Sequence, residues 1–421
     1  MKKILSLILV LTMVLSLGVM FTSCGDENEK TGEQVAVLDD VALGAKFDIP
    51  SDFKIGFICL HDKNSTYDLN FLNAVDTIKA HLGLTDEQVI VETNIPEDDN
   101  CYQAAKRLAN QGCKVVFANS FGHEAHIIKA AEEFKNVQFC HATGTKALVK
   151  TDLPNFHNAF ASIYEGRFLA GVAAGMKLNE MIENGEITAE QAVIGYIGAY
   201  PYAEVKSGYT SFFLGARSVC ESATMKVRFT DSWYDYDKEK EAANSLISID
   251  KCVLISQHAD SMGAPSACEA AGVPNVSYNG STVTACPETF IISSAINWAP
   301  YYYEIIKATV EGEDIPANWC GTIKTGSVVL SKLNVDAAAE GTAEKLKEVA
   351  TKLQNGTLKV FDTDTFTVNN KKLTTYKADV VDMGDYAPET EVIKDGYFAE
   401  SEYRSAPYFD IDIDGITLIN K

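Results

Sequence analysis

The sequence predicts an α/β protein of two similar lobes, each a doubly wound parallel sheet. Three observations carry this expectation. From residue 54 onward, short β-rich runs alternate with amphipathic runs of about 12 to 18 residues. The runs fall into two sets at a near-constant separation. Several of them end in short polar loops rich in hydrogen-bonding side chains.

The first set is "KIGFICL" (54–60), "QVIVET" (88–93), "KVVFAN" (114–119) and "NVQFCHA" (136–142). The second is "AVIGYIG" (192–198), "TMKVRFT" (224–230), "KCVLISQ" (251–257) and "PNVSYN" (274–279). Corresponding starts differ by 138, 136, 137 and 138 positions. A period of 20 to 50 residues is not needed, so a solenoid is not indicated. Phe71, Leu72, Val75, Ile78 and Leu82 recur at helical spacing after the first run, and Ser65 and Asp68 read as a helix start. Ile127, Ile128, Ala131 and Phe134 do the same after the third. Residues 289–313 read as a strand, a Trp-bearing loop and a helix, and their return to the first lobe would form a hinge. Residues 331–421 form a C-terminal extension of unassigned place.

In open parallel sheets, ligands bind beyond the carboxyl ends of the strands, near a topological switch point. If the lobes face each other, "ANSFGHE" and "SQHADSM" converge on one cleft. "HDKNSTYD" (61–68), "TDSWYD" (230–235), "HATG" (141–144) and "YNGS" (278–281) join them. These loops offer amides, hydroxyls, carboxylates and aromatics but few positive charges. That mixture suits a flat, polar, neutral ligand, with aromatics on its faces and polar groups at its edges.

The chain has 421 residues, 46% of them hydrophobic, and a formal charge of −22. An acidic surface excludes a nucleic-acid backbone as partner. Lys2 and Lys3, an apolar run from Ile4 to Phe21, and "FTSC" ending at Cys24 read as an export signal. A single membrane span is the alternative. The small residues before Cys24 resemble a bacterial lipobox, which implies a signal peptide ending at the cysteine (1–24) and a mature chain that starts with lipidated Cys24. Residues 25–52 then read as a flexible acidic tether, and the lipid is the chain's membrane contact. Nine further cysteines lack CxxC or zinc spacing, and most read as small buried hydrophobes.

"SFGHEAHIIKAAEEFKNVQFCHATG", "ASIYEGRFLAGVAAG", "TDSWYDYDKEKEAA", "SQHADS" and "INWAPYYYEIIKA" closely resemble the basic membrane protein family. These are substrate-binding lipoproteins of ABC transporters, one of them a purine nucleoside receptor. The resemblance covers about 54 to 330. It implies a two-lobed periplasmic-binding-protein fold of type I. Residues 53–160 with about 290–330 would form the N-terminal lobe and residues 161–289 the C-terminal lobe. It also implies a purine nucleoside or nucleobase ligand, a permease partner in the cytoplasmic membrane, a monomer and no cofactor.

The family's ligand residues carry over unevenly. In the first loop Tyr67 takes the stacking role, and Asp62, Asn64 or Asp68 the polar one. Asn119, Ser120 and Phe121 follow from "ANSFG". Trp233 falls where the family places a stacking aromatic, and "QHADS" puts His258 and Asp260 beside the ligand. Asn279 and Trp298 fall where later loops reach the cleft, while His141 can serve structure. Each has a structural alternative. Trp233 and Trp298 can be packing aromatics, His258 a satisfied structural histidine, and Asp260 a helix cap. Tyr67 can lie on a helix face, and Asn119 and Ser120 can finish turns.

Against catalysis, the sequence has no GxSxG, HExxH, phosphate loop or GxGxxG. An exported nucleoside hydrolase would need an early Asp-rich calcium cluster, and "ICLHDKNS" does not supply one. "DIDIDG" (410–415) resembles half of a calcium loop but has Lys421 where the twelfth ligand belongs. A sensor that signals to a membrane partner would use the same binding chemistry as a transport receptor.

Overall fold

The computed structural model describes residues 33–420. The expected export signal, Cys24 and the first part of the expected tether lie outside these residues. The expected strands form as Ile55–Ile58, Val89–Glu92, Val115–Ala118 and Gln138–Ala142 in the first lobe. In the second lobe they are Val193–Gly198, Thr224–Phe229, Leu254–His258 and Asn275–Tyr278. Each lobe adds a fifth strand, Phe156–Ala161 and Phe290–Ile296. Periodicity misses the first of these because His157 and Asn158 are polar. Both are buried, and both are hydrogen-bonded: His157 to Gln138, Asn158 to the Ala147 amide and Glu124.

In strand number, both sheets run 2-1-3-4-5, and all of these pairings are parallel. The repeat extends to backbone strain. Left-handed residues recur as Asn94 and Asp231, Gly112 and Lys251, and Thr143 and Asn279. Their separations are 137, 139 and 136 positions, so the same turns follow or precede the same strands in each lobe.

The lobes are joined by three crossings. The fifth strand of the first sheet feeds the helix Tyr164–Glu183, which packs on the second lobe. Phe290–Ile296 pairs with Asn275–Tyr278, so it belongs to the second sheet, not the first as a boundary near 290 implied. The crossing follows it, and the helix Ala299–Glu311 packs on the first lobe. Asn318–Gly321 completes the first sheet, and Val328–Leu330 returns to the second. Helices Tyr164–Glu183 and Ala203–Arg217 touch backbone to backbone, because a Cβ at Gly171 or Gly215 would meet a carbonyl oxygen at 1.9 or 2.0 Å.

The extension is part of the body. Ile416–Leu418 adds a parallel strand beside Thr224–Phe229, and the helix Thr342–Gln354 packs on Tyr164–Glu183. Residues 33–52 also depart from the expected tether. Gln34 and Val35 pair with Asn334 and Leu333, and Phe47 lies edge-on to Tyr303 at 5.6 Å. Val35, Val37, Leu43, Phe47 and Ile49 are an apolar set that gains more from burial than from a solvated tether.

Trp298 is a core residue. It is 1% exposed, stacks on Phe71 at 4.6 Å and meets Phe117 edge-on at 5.6 Å. Its place at the start of the helix after the second crossing directs it into the first lobe's core, which corrects its assignment to the ligand. Trp298→Ala is expected to cost about 3–5 kcal/mol of stability, as large aromatic truncations in cores do. A urea midpoint unchanged from the parent would contradict this placement.

Candidate functional site

The loops at the carboxyl ends of the two sheets meet across a cleft. The first lobe lines it with Leu60, His61, Tyr67, Asp68, Ser120, Phe121 and Thr143, and the second with Glu204, Trp233, His258, Asp260 and Asn279. Seven of the eleven residues expected at the site are therefore brought together. The enclosed void is about 30 Å³, and counting the open mouth gives about 400 Å³ of empty space. It is small because the lobes touch: the Thr66 amide donates to the Asp260 carbonyl at 3.1 Å, and Asn70 donates to Asn279 at 3.4 Å.

Ser65 caps the helix Thr66–Leu82 by accepting from the Asp68 amide. This cap sets Tyr67 and Asp68 at the cleft. The Tyr67 hydroxyl donates to the Asn119 carbonyl at 2.6 Å. Asp68 Oδ1 accepts from Asn119 Nδ2 at 2.7 Å and from the His61 amide at 3.1 Å, while Asn119 Oδ1 accepts from the Leu60 amide at 3.0 Å. Asn119 is thus fully buried and clamps the first and third loops rather than lining the space. Asp68 Oδ2 lies 3.5 Å from His61 Nδ1. Burial would raise the Asp68 pKa, but hydrogen bonds from His61, Asn119 and Ser65 outweigh it and hold the carboxyl below its ordinary value.

Asp62 and Asn64 do not reach the cleft. Asp62 accepts from the Asn64 amide at 3.0 Å and from its side chain at 2.8 Å, a turn closed on itself at the surface. Of the polar candidates in the first loop, only Asp68, six positions after Asp62 and in the first turn of the helix, lines the cleft. Ser120 donates to Glu97 at 2.6 Å, and His141 Nε2 meets the Ser120 carbonyl at 2.7 Å, which makes His141 a buried support.

In the second lobe, Trp233 meets Tyr200 edge-on at 5.2 Å, and its carbonyl accepts from the Asp260 amide at 3.0 Å. His258 ends its strand with Nε2 3.4 Å from Glu204 and its ring 4.5 Å from Tyr278. Burial lowers the His258 pKa and outweighs the opposing pull of Glu204, so the ring is neutral. Asp260 Oδ1 accepts from Asn279 at 2.9 Å. Burial, with Glu239 and Asp68 nearby, pushes the Asp260 carboxyl well above its ordinary value.

Two residues escaped the sequence reading. Glu204 opens the helix Ala203–Arg217 after the first strand of the second lobe. It lies 136 positions after Asp68, so the offset that pairs the strands also pairs these carboxylates. Arg167 is fully buried behind the site. It donates to the Tyr196 hydroxyl at 2.7 Å and to the carbonyls of Gln257 and Ser277 at 3.3 Å, and lies 4.7 Å from the Tyr278 ring. It stands in "YEGRFLAG", a helical run whose buried face periodicity does not distinguish.

The lining holds three carboxylates and no lysine or arginine. "DIDIDG" is not gathered round one point: Asp410 accepts from Tyr376 and Tyr386, Asp412 pairs with Lys206, and Asp414 accepts from Thr367 and the Asn370 amide. Among the described residues, no group of three or more His, Cys, Asp or Glu could hold a metal ion.

Residues 60–364 match the family described as ABC transporter substrate-binding protein, PnrA-like. This chain belongs to that family. Proteins of the PnrA-like family are extracytoplasmic solute-binding components of ABC transporters, which take a small molecule and engage a permease, and are not enzymes by class. A relative from Brucella abortus (strain 2308), named a purine-binding protein, is 31% identical over 323 residues, 74% of this chain and 86% of that one. A Haloferax volcanii protein, named a putative ABC transporter glucose-binding protein, is 31% identical over 255 residues, 60% of each. Solute-binding proteins from Conexibacter woesei and Aeropyrum pernix superpose with TM-scores of 0.58 and 0.59 at 19% and 15% identity. They cover 73% of this chain and 98% and 93% of theirs, which shows the type I periplasmic-binding fold.

Glu239 holds the loop behind Asp260. Its carboxylate accepts from the Ser261 amide at 3.2 Å and the Asp235 amide at 3.1 Å, and burial pushes its pKa up to about 7. Its folded pKa exceeds the unfolded value of about 4.3, so the native state keeps a proton that the unfolded chain has released. Stability from this group is therefore lost as pH rises through that interval. Thermal midpoints of Glu239→Gln minus those of the parent are expected to increase from about pH 5 to about pH 8. Parallel curves would refute the assignment.

Proposed function

We propose that this PnrA-like protein captures a purine nucleoside or nucleobase between its lobes and delivers it to the permease of an ABC importer. The observation that carries the reading is a cleft with aromatic rings from both lobes and three carboxylates, without a cationic side chain. Tyr67 and Phe121 face it from one lobe and Trp233 from the other. The purine-binding name of the Brucella relative, matched over 86% of its length, supports the same class. A flat heterocycle stacks on such rings, and its N–H groups or the hydroxyls of an attached ribose donate to carboxylates. A phosphorylated nucleotide would meet three carboxylates with no cation among the lining residues to receive it.

Trp233 with Tyr67 or Phe121 sandwiches the base, and Asp68, Glu204, His258, Asp260, Asn279 and Ser120 read its edge or the ribose. Asn119 acts by fixing Asp68 and the Tyr67 hydroxyl. The lobes close about the three crossings, and ligand favours the closed state only by the contacts it gains there. The chain is a monomer anchored outside the cytoplasmic membrane by lipid on Cys24. A sugar is the second reading. It is favoured by the glucose-binding name of the Haloferax relative and by carboxylates that accept from vicinal hydroxyls.

Thermal unfolding of residues 25–421 with adenine, guanine, hypoxanthine, their nucleosides, riboflavin and hexoses tests the ligand. Ligand at 100 times its Kd adds about 2.7 kcal/mol. Stabilisation by purines is expected. A response confined to riboflavin or hexoses would overturn the purine assignment. For the stabilising ligand, Trp233→Ala is expected to weaken binding by about 1–3 kcal/mol in calorimetry, the worth of one stacking contact. Unchanged affinity in a folded variant would remove Trp233 from the sandwich.

A further inference from the structure

The cleft opens outward into a second cavity of about 690 Å³ that shares Phe121, Thr143, Glu204 and Trp233 with it. Its far wall is the C-terminal extension, including Asp379, Asp382, Tyr386, Arg404 and Asp410. The residues matched to the family end at 364, so this wall lies beyond them.

The extension holds both lobes. On the second lobe it is built into the sheet, through Ile416–Leu418 and through Asn420, which donates to the Phe229 carbonyl and accepts from the Phe229 amide, both at 2.9 Å. Lys206 at the cleft mouth donates to the Asp410 carbonyl and pairs with Asp412, both at 2.9 Å. On the first lobe the contacts are side-chain bonds. Asp382 accepts from Lys146 Nζ at 2.6 Å and from the Thr145 hydroxyl at 2.6 Å, and its carbonyl accepts from Lys146 at 3.0 Å. The Ser405 amide donates to Asn318 Oδ1 at 2.9 Å. Thr145 and Lys146 follow the fourth strand of the first sheet, and Asn318 lies on its edge strand.

We infer that the extension is a strap across the mouth of the cleft, fixed to the second lobe and latched to the first by Lys146 and Asp382, which restrains opening and so governs ligand release. The asymmetry of the contacts is the reason. If the lobes part, the extension moves with the sheet that contains its last strand, and the Asp382 and Ser405 bonds are the ones that break. Arg404 stiffens the strap, since its guanidinium donates to the carbonyls of Asp379, Val380, Ala406 and Pro407 at 3.1 to 3.2 Å. The inference rests on the cleft being the binding site but not on which ligand fills it.

Closure has its own reporter, the Thr66 amide bonded across the cleft to Asp260. Hydrogen exchange of the Thr66 peptide is measured in ligand-free parent, Lys146→Asp, Asp382→Lys and the double charge swap. Each single variant is expected to exchange about two- to fivefold faster there, the effect of losing a partly exposed ion pair. The swap is expected to restore protection. Unaltered exchange in the single variants, or no recovery in the swap, would overturn the latch. Adenine dissociation, followed by stopped flow, should speed by the same factor in the single variants. A protein that binds no adenine, base or nucleoside defeats the purine reading, while the exchange data still decide the strap.

Discussion

The buried guanidinium of Arg167 ties the second lobe to its site. It projects from the helix that follows the first crossing and meets residues on three strands: Tyr196, Ser256 with Gln257, and Ser277. Removing a charge from water costs several kcal/mol. Here carbonyls, hydroxyls and the faces of Tyr196 and Tyr278 offset that cost. The bonds fix the carboxyl ends of those strands relative to the hinge helix. His258 and Asn279 continue directly from two of them, so their positions depend on this anchor.

The same cation shapes the electrostatics of the cleft. Burial, with a smaller contribution from its field, holds the His258 pKa down even with Glu204 at 3.4 Å. On the other side, Asp68 is held ionised by donors from three neighbours, while Asp260 is pushed toward its protonated form. The two lobes therefore offer different chemistry to the same cleft. One presents an acceptor. The other presents a carboxyl that can donate, beside a neutral imidazole. A ligand with both donor and acceptor edges fits between them better than one with a single kind.

Closure links this chemistry to motion. The proposed closure turns on the three crossings, and the cross-cleft bonds at Thr66 and Asn70 are few and local. Hinge closure of this sort responds to small differences in contact energy. The extension enters this balance from outside the matched family region. It also forms one wall of the outer cavity, opposite Phe121 and Tyr202.

Much of this was legible in the chain. Alternating runs and their offset specify two parallel sheets, because buried strands and amphipathic crossover helices have different periods and a duplicated pattern implies a duplicated lobe. The polar loops at the carboxyl ends gave the side of the sheets where the cleft lies, and the family resemblance pointed to Trp233, His258, Asp260 and Tyr67 within them. Direction and depth were another matter. Trp298 and Asn119 occupy loop positions much as Trp233 and Ser120 do, yet one stacks in a core and the other clamps two loops. Asp62 and Asp68 are both acidic, but only the second stands on the first turn of a helix aimed at the cleft. Sequence determined the eight strands of the duplicated pattern and their order of repetition. Tertiary structure alone decided which polar groups are buried facing the space, because that depends on crossings and on a cation 110 residues from one of its partners.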